Sequence, residues 1–452
     1  MGKQYHFIGI GGIGMSGIAK LFLQRGESVS GSDIKDSSVL WQLGREGARI
    51  SIGHKAENIR EADFVVYSSA VKNDNPEILE AKKKGLPLLK RAQALAELMK
   101  GRDVVTVSGS HGKTTTTSLV SCLFINAGLS PTVAIGGILR NINANAYSGA
   151  GEFFVAEADE SDGSFMYYEP KYSIITNIDK EHLDYYRDFE SEVSAFSDFL
   201  KRTTSGGCVF YCSDDLNLNK IIKNYRGRAV SFGLGRDADI HAQNIEAKGL
   251  VSFFDCFCKG RLIDRFSLSL AGRHNISNAL SVIALGFELG IDINIIKSTL
   301  SNYKGAYRRI DVKFDSKDYM LIDDYAHHPT EIKATLSALK GLRERSIVVF
   351  QPHRYTRTKL LLDEFAGSFL DADYLVITDI YPASEPPIEG ISGQALAERI
   401  RVYSGRKDIV FIPREDITGH ICRIISHGDL ILTLGAGDIT KVCDELVEKL
   451  KR

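Results

Sequence analysis

Short runs of β-branched and aromatic residues alternate along the chain with longer stretches of helical period. Tyr5–Ile8 is followed by a glycine-rich turn and then by an amphipathic run from Met15 to Arg25. The same succession of strand, small-residue loop and helix restarts at Asp103 and again at Tyr319. Brief apolar runs bounded by polar loops and joined by helices are the pattern of parallel sheets in an α/β fold. The restarts predict three domains, at 1–98, 99–313 and 314–452. Within each, polar residues gather just after the strands. Ligands of open α/β sheets bind at those carboxyl ends. Three such domains facing one another would enclose a cleft for several substrates.

The length of 452 residues agrees with about three domains at roughly 150 residues each. Lys and Arg number 56 against 57 for Asp and Glu, a net charge of -1 that argues against DNA or an anionic membrane as partner. Apolar residues at 44% and charged residues at 25% exclude a disordered chain. No stretch approaches the roughly 20 apolar residues of a membrane helix. Glycines interrupt the apolar run of a would-be leader, and His6 stands where a myristoylation signal needs Ser or Thr. The seven cysteines include no C-x-x-C, so they read as reduced thiols rather than a zinc site.

The strongest chemical motif is Gly109-Ser110-His111-Gly112-Lys113-Thr114-Thr115, after the strand Val104–Val107 and at the start of a helix. Glycines let backbone N–H groups turn toward a phosphate, and the helix start adds positive potential. Lys113 would reach the β- and γ-phosphates, and Thr114 would offer a hydroxyl to Mg²⁺. The general pattern has a glycine five residues before Gly112; here that position is Val107, so the loop is a shorter relative. Four consecutive threonines from Thr114 are poor helix formers unless hydroxyls are wanted.

A second motif, Gly9-x-Gly11-x-x-Gly14, includes Gly12 and Ile13, and Asp33 follows it by 19 residues. It suits a dinucleotide with Asp33 on a ribose, or a nucleotide that offers only a diphosphate. A third loop, Gly435-Ala436-Gly437-Asp438, is either a tight turn or a phosphate site. Two phosphate-type loops in separate domains suggest two phosphorylated ligands, more like a ligase or kinase than a dehydrogenase.

Glu157 ends an apolar strand within a run of acids, either a Mg²⁺ carboxylate or a solvated face. His182 follows another strand. In the third block, adjacent His327 and His328 cannot share one metal; one is expected to line the cleft and the other to hold the loop. Arg354 and Arg357, three apart and just after His353, would either clamp a carboxylate or form a solvated turn.

Together these residues resemble the Mur ligase family across essentially the whole chain. The resemblance rests on HFIGIGGIGMSG at 6–17, SGSHGKTTTT at 108–117, FVAEADESDGSF at 154–165 and TNIDKEHLDYY at 176–186. It continues through GRHNISNAL at 272–280, YRRID at 307–311, DDYAHHPTEI at 323–332 and QPHRYTRT at 351–358. It implies a Rossmann-like N-terminal domain, a central ATPase domain and a Rossmann-like C-terminal domain. It further implies a cytoplasmic enzyme of peptidoglycan synthesis that joins L-alanine to UDP-N-acetylmuramate with ATP and two Mg²⁺ ions. No nucleic acid or membrane partner is implied, and the chain is expected to be a monomer or homodimer.

Carried over by position, Lys113 serves the transferring phosphate, Thr114 and Glu157 one Mg²⁺, and His182 a second. Asn275, Arg309 and Asp324 would contact ATP. The Gly9–Gly14 loop would hold the UDP diphosphate, with Asp33, His54, Ser68 and Ser69 nearby. Tyr325, His327, Arg354 and Arg357 would shape the amino-acid region, with His327 the candidate base for the amine. Some sister ligases carry a carbamylated lysine after the histidine of the central domain. Here Asp198 occupies that stretch, and the first lysine after His182 is Lys201. Two alternatives stand beside this reading: a ligase that recycles murein peptide onto the same sugar nucleotide, and an NAD-dependent oxidoreductase.

Overall fold

The computed structural model describes residues 2–68, 71–182 and 185–451; Ser69 lies outside them. It divides into two compact units, one of residues 1–243, 255–266 and 277–304, the other of residues 244–254, 267–276 and 305–452. Among the described residues no helix is long and apolar enough to cross a membrane.

The first unit opens with a five-stranded sheet of β1 (Gln4–Ile8), β2 (Ser28–Asp33), β3 (Arg49–Ile52), β4 (Phe64–Tyr67) and β5 (Leu88–Lys90). Its order is β3-β2-β1-β4-β5, all parallel. The order reverses beside β1, and a reversal of this kind opens a crevice at the strands' carboxyl ends. The Gly9 loop stands there.

The central sheet begins with β6 (Asp103–Ser108), β7 (Thr132–Leu139), β8 (Ala144–Tyr147), β9 (Phe153–Glu157) and β10 (Tyr172–Ile175). It continues with β11 (Cys208–Cys212), β12 (Ala229–Gly233), β13 (Ile240–Lys248), β14 (Val251–Cys258) and β15 (Arg261–Leu268). The order is β15-β14-β13-β12-β11-β10-β6-β9-β7-β8. β6 lies between β10 and β9 and is parallel to both. Val104, Val105 and Val107 are buried there, as a strand covered on both faces requires.

The helix Lys113–Asn126 that follows is buried from Thr115 to Phe124. This burial explains most of the threonine run. Thr117 gives its hydroxyl to the Lys113 carbonyl at 2.9 Å, so small side chains that satisfy themselves fill a crowded interior. Only Thr114 meets an acidic partner, Glu157.

The second unit carries β16 (Asp311–Asp315), β17 (Tyr319–Asp324), β18 (Arg345–Phe350), β19 (Tyr374–Ile377), β20 (Ile409–Phe411) and β21 (Asp429–Leu434). Their order is β16-β17-β21-β18-β19-β20, parallel except for β16. Alternate residues feed two apolar layers. Ile322, Val348, Phe350 and Leu432 face Phe365 and Phe369, while Leu321, Val349 and Ile431 face Val442 and Leu446. The mostly parallel α/β architecture expected from the hydrophobic pattern is present in all three sheets.

Phe350 is 0% exposed, with ring centroids 5.6 Å from Phe365 and 5.1 Å from Phe369. Phe350→Ala is expected to cost about 3–5 kcal/mol of stability in chemical denaturation of this unit. A loss under about 1 kcal/mol would contradict its place in a close-packed layer.

Candidate active site

The central loop is built from β6 outward. Gly109 has φ 125 and Gly112 φ 85, backbone that side chains resist, and a Cβ on Gly112 would lie 2.7 Å from Asn278 Oδ1. The segment after β10 pins the loop from outside. Ser110 N–H donates to Asn177 O at 3.1 Å and His111 N–H to Asn177 Oδ1 at 2.9 Å. Thr176 Oγ1 and Asn177 Nδ2 both donate to His111 O, at 2.6 and 3.0 Å. His111 Nε2 lies 2.9 Å from Asp179 Oδ2. Gly112 caps the following helix with no side-chain partner, so the helix start keeps its positive end open to an anion. Val107 is an ordinary buried strand residue, and the shorter loop begins only after Ser108.

Lys113 is folded into this loop. Its Nζ donates to Gly109 O at 2.6 Å, Ser110 O at 3.3 Å and Glu160 Oε1 at 2.6 Å. Burial alone would lower its pKa, but Glu160 and Asp159 hold the ammonium charged, above the usual lysine range. Arg91 adds a second cation, 3.4 Å from Asp159.

Two oxygen-rich positions accompany Lys113. Thr114 Oγ1 is 3.3 Å from Glu157 Oε2, while Gly136 N–H holds Glu157 Oε1 at 2.8 Å. Thr115 is buried at the start of the helix. His182 Nε2 lies 3.6 Å from Glu160 Oε1 and 3.5 Å from Glu181 Oε2, in a left-handed backbone with φ 53. Burial opposes a charge on His182, but Glu160 and Glu181 outweigh it and raise its pKa. A hydroxyl beside a carboxylate is a fitting pair for Mg²⁺. Glu160 Oε2, buried without a hydrogen-bond partner, fits a cation beside His182. Glu160, Arg91 and Asp159 had no signal in the sequence that set them above other charges.

The N-terminal loop is held from below. Ser32 O accepts Gly9 N–H at 2.8 Å and Ile10 N–H at 3.1 Å. Asp33 Oδ2 accepts Gly11 N–H at 2.9 Å and its Oδ1 accepts Ile34 N–H at 2.7 Å, so Asp33 shapes the loop. Gly12 caps the helix Ile13–Gln24, again without a side-chain partner. Ile13 is exposed, and its carbonyl accepts Asn145 Nδ2 at 2.6 Å. A Cβ on Gly14 would lie 2.7 Å from Arg91 Nη1, which places that guanidinium against the loop. Ser68 follows β4, where its carbonyl accepts Val71 N–H at 3.0 Å. His54 Nδ1 is 2.9 Å from Ser32 Oγ.

The second unit holds a separate cluster. Arg308 and Arg309 each lie 5.0 Å from the Tyr325 ring. His327 stands edge-on to Tyr325 and to His353, and His353 stacks on Tyr381. His327 Nδ1 is 3.1 Å from Tyr325 O and 3.2 Å from Glu331 Oε2. His328 does the other expected job: it caps the helix Pro329–Leu339 and is buried. Burial first, then the neighbouring His327, Arg357 and Arg354, push the pKa of His353 down to about 3. Arg354 Nε pairs with Glu385 Oε1 at 2.6 Å, whereas Arg357 Nη1 lies 3.3 Å from His353 Nδ1.

Asp324 accepts Ile310 N–H at 2.6 Å and Ala326 N–H at 2.8 Å, and burial pushes its pKa up to about 6. Arg309 Nη1 is 3.7 Å from Glu331 Oε1. Asn275 is buried and gives Nδ2 to Ala271 O at 2.7 Å. The third glycine loop is a turn whose Gly435 and Gly437 carbonyls accept Arg308. His353, Glu331 and Glu385 were missed as site residues; their partners are recognised only once the fold brings them together.

The fold and site define an α/β protein with a lysine-bearing glycine loop, a hydroxyl–carboxylate pair beside it and a second glycine loop after the first strand of the N-terminal sheet. Family models match in chain order: the Mur ligase family catalytic domain at residues 4–103, the Mur ligase middle domain at 107–286, and the Mur ligase glutamate ligase domain at 308–437. The chain belongs to the Mur ligase family. It is 46% identical over 451 residues to the UDP-N-acetylmuramate–L-alanine ligase of Geotalea uraniireducens (strain Rf4), covering 99% of this chain and 98% of that one. It is 45% identical over 450 residues to the ligase of that name from Anaeromyxobacter dehalogenans (strain 2CP-1 / ATCC BAA-258), at 99% and 98% coverage. The crystal structure of the UDP-N-acetylmuramate-alanine ligase from Thermotoga maritima superposes with a TM-score of 0.84 at 30% identity, covering 99% of both chains. A murein peptide ligase from Psychrobacter arcticus gives a TM-score of 0.73 at 25% identity, again over 99% of both.

Glu192, on the helix Phe189–Leu200, is completely buried. Burial, joined by Glu160 and Glu181, pushes its pKa up to about 8 from the ordinary 4.5, against the pull of His182. The folded protein therefore keeps a proton there that the unfolded chain releases above about pH 4.5. Its contribution to stability is complete at low pH, falls as pH rises toward about 8, and is constant above. In metal-free buffer, Glu192→Gln is expected to flatten the dependence of Tm on pH across this window and to melt higher than the parent on its alkaline side. Parallel curves would contradict the buried-proton assignment.

Proposed function

We propose that this protein joins L-alanine to the lactyl carboxylate of UDP-N-acetylmuramate at the expense of ATP, through an acyl phosphate. The products are UDP-N-acetylmuramoyl-L-alanine, ADP and phosphate, and the setting is the cytoplasmic stage of peptidoglycan synthesis. The observation that carries the chemistry is Lys113, half-buried in a pinned phosphate loop beside the Thr114–Glu157 pair. The name shared by full-length relatives supports the substrates. On this reading residues 1–98 bind the UDP-sugar, 99–313 bind ATP and 314–452 complete the ATP and amino-acid sites, with Asn275, Arg309 and Asp324 serving ATP.

A carboxylate is a poor electrophile, and phosphorylation gives it a leaving group. That step brings an anion toward a polyanionic nucleotide. Mg²⁺, when bound by Thr114 and Glu157 and by His182 with Glu160, would neutralise phosphate charge. Lys113 adds a fixed ammonium at the transferring phosphate, and the uncapped helix start at Gly112 orients it. The open start of the helix Ile13–Gln24 and Arg91 hold the diphosphate of the sugar nucleotide. The second step needs alanine as a free amine. Tyr325 O and Glu331 both accept from His327 Nδ1, which keeps the proton on that nitrogen. Nε2 then has a lone pair with which to accept the amine proton.

Phosphate release from ATP is expected only when UDP-N-acetylmuramate and L-alanine are both present. Release that ignores the sugar nucleotide would overturn the proposal, and release with murein peptide but not L-alanine would move it to the recycling reaction. Lys113→Ala should lower kcat on the order of 10²- to 10³-fold, the range for loss of one electrostatic donor to a transition state. Near-normal turnover would remove the loop from the chemistry. His327→Ala should lose the acidic limb of the pH–rate profile; an unchanged profile would eliminate it as the base.

A further inference from the structure

Beneath the N-terminal loop lies a carboxylate that the chemistry above does not use. Glu77, in the first turn of the helix Pro76–Lys84, is 0% exposed. Its Oε2 accepts Ser32 Oγ at 2.6 Å and lies 3.3 Å from His54 Nδ1 and 3.7 Å from His6 Nε2. Its Oε1 accepts Asn58 Nδ2 at 2.5 Å and Lys55 N–H at 3.4 Å. Burial would raise its pKa, but the nearby His6 ring and hydrogen bonds from Ser32 and Asn58 hold it below the usual carboxylate range. A fully buried anion stabilises a fold poorly compared with an apolar side chain of similar size. Its neighbours place it at the loop: Ser32, which it holds, is the residue whose carbonyl accepts the Gly9 and Ile10 amides.

The hydrogen bonds run in one direction. An ionised carboxylate only accepts, so Ser32 gives its hydroxyl proton to Glu77 and offers His54 a lone pair. His54 Nδ1, 2.9 Å away, therefore carries its proton and donates to Ser32 Oγ. Nε2 has no protein partner among the described residues and is the ring nitrogen left for a ligand. Through Ser32, Glu77 thus fixes the tautomer and the rotation of the His54 ring.

We infer that Glu77 is a positioning residue of the sugar-nucleotide site: across Ser32 it orients His54 and fixes which ring nitrogen meets the nucleotide. The inference rests on the assignment of UDP-N-acetylmuramate to the Gly9–Gly14 loop.

The test is steady-state kinetics of the full chain carrying Glu77→Gln, which keeps shape and removes charge, with Tm as a check on folding. KM for UDP-N-acetylmuramate should rise about tenfold or more, while kcat and KM for ATP and L-alanine stay within about twofold. His54→Ala should give a rise of similar size. The double variant should be no worse than either single one, because Glu77 acts through His54. Additive effects, a loss in kcat without a change in KM, or an unchanged KM in Glu77→Gln would each overturn the inference.

Gly11→Ala separates it from the assignment beneath it, since a Cβ there would lie 2.9 Å from Asp33 Oδ2. If Gly11→Ala raises KM for the sugar nucleotide and Glu77→Gln does not, Glu77 alone is at fault. If Gly11→Ala leaves that KM unchanged, the loop does not hold the sugar nucleotide and both fall.

Discussion

The half-buried ammonium of Lys113 and the buried carboxylate of Glu160 hold the central site together. An unpaired charge in that interior would be strongly destabilising, so the loop must bring donor and acceptors into register. Gly109 and Ser110 turn their carbonyls toward Nζ, and Glu160 meets it from the acidic run after β9. In the proposed reaction a phosphate takes a share of Lys113, which leaves Glu160 beside His182 with more charge to offer a cation. Lysine, carboxylate and histidine then act as one electrostatic unit.

Parallel sheets deliver these groups to one edge, but distant neighbours decide what each loop does. Three loops carry glycines after a strand. In the first, Ser32 and Asp33 accept amides and fix the turn. In the second, Thr176 and Asn177 brace the loop from the adjacent strand's end. In the third, Arg308 takes the carbonyls, and the glycines make a turn. All three share glycines after a strand, and the partners across the fold set how each is held. The Asp33 contacts also weaken the nicotinamide alternative, because the carboxylate that would seek a ribose is engaged with the loop itself.

Much of this was legible in the chain. The alternation of apolar runs and helical stretches indicated mostly parallel sheets, the glycine–lysine motif located the central loop, and the adjacency of His327 and His328 predicted that one of them holds the loop, as His328 does. Less legible were groups whose meaning depends on long-range pairing. Glu160 is 47 positions from Lys113, and Arg91 is 68 from Asp159. Glu77 looks like an ordinary residue in a helix's first turn until His54, Ser32 and Asn58 close over it. The threonine run pointed to hydroxyl chemistry, but burial accounts for all except Thr114. Arg354 and Arg357 have the spacing of a clamp, but the glutamate that pairs with Arg354, 31 positions away, is seen only in the fold.

In the proposed reaction the sugar-nucleotide carboxylate attacks ATP before the amine arrives at carbon. Turnover with UDP-N-acetylmuramate labelled with ¹⁸O in its lactyl carboxylate tests this directly. Attack by that carboxylate followed by aminolysis transfers one carboxylate oxygen to inorganic phosphate, so mass spectrometry should find one ¹⁸O in the phosphate of each turnover. Phosphate free of label would mean that ATP is cleaved without the carboxylate as nucleophile, and the acyl-phosphate account would be wrong.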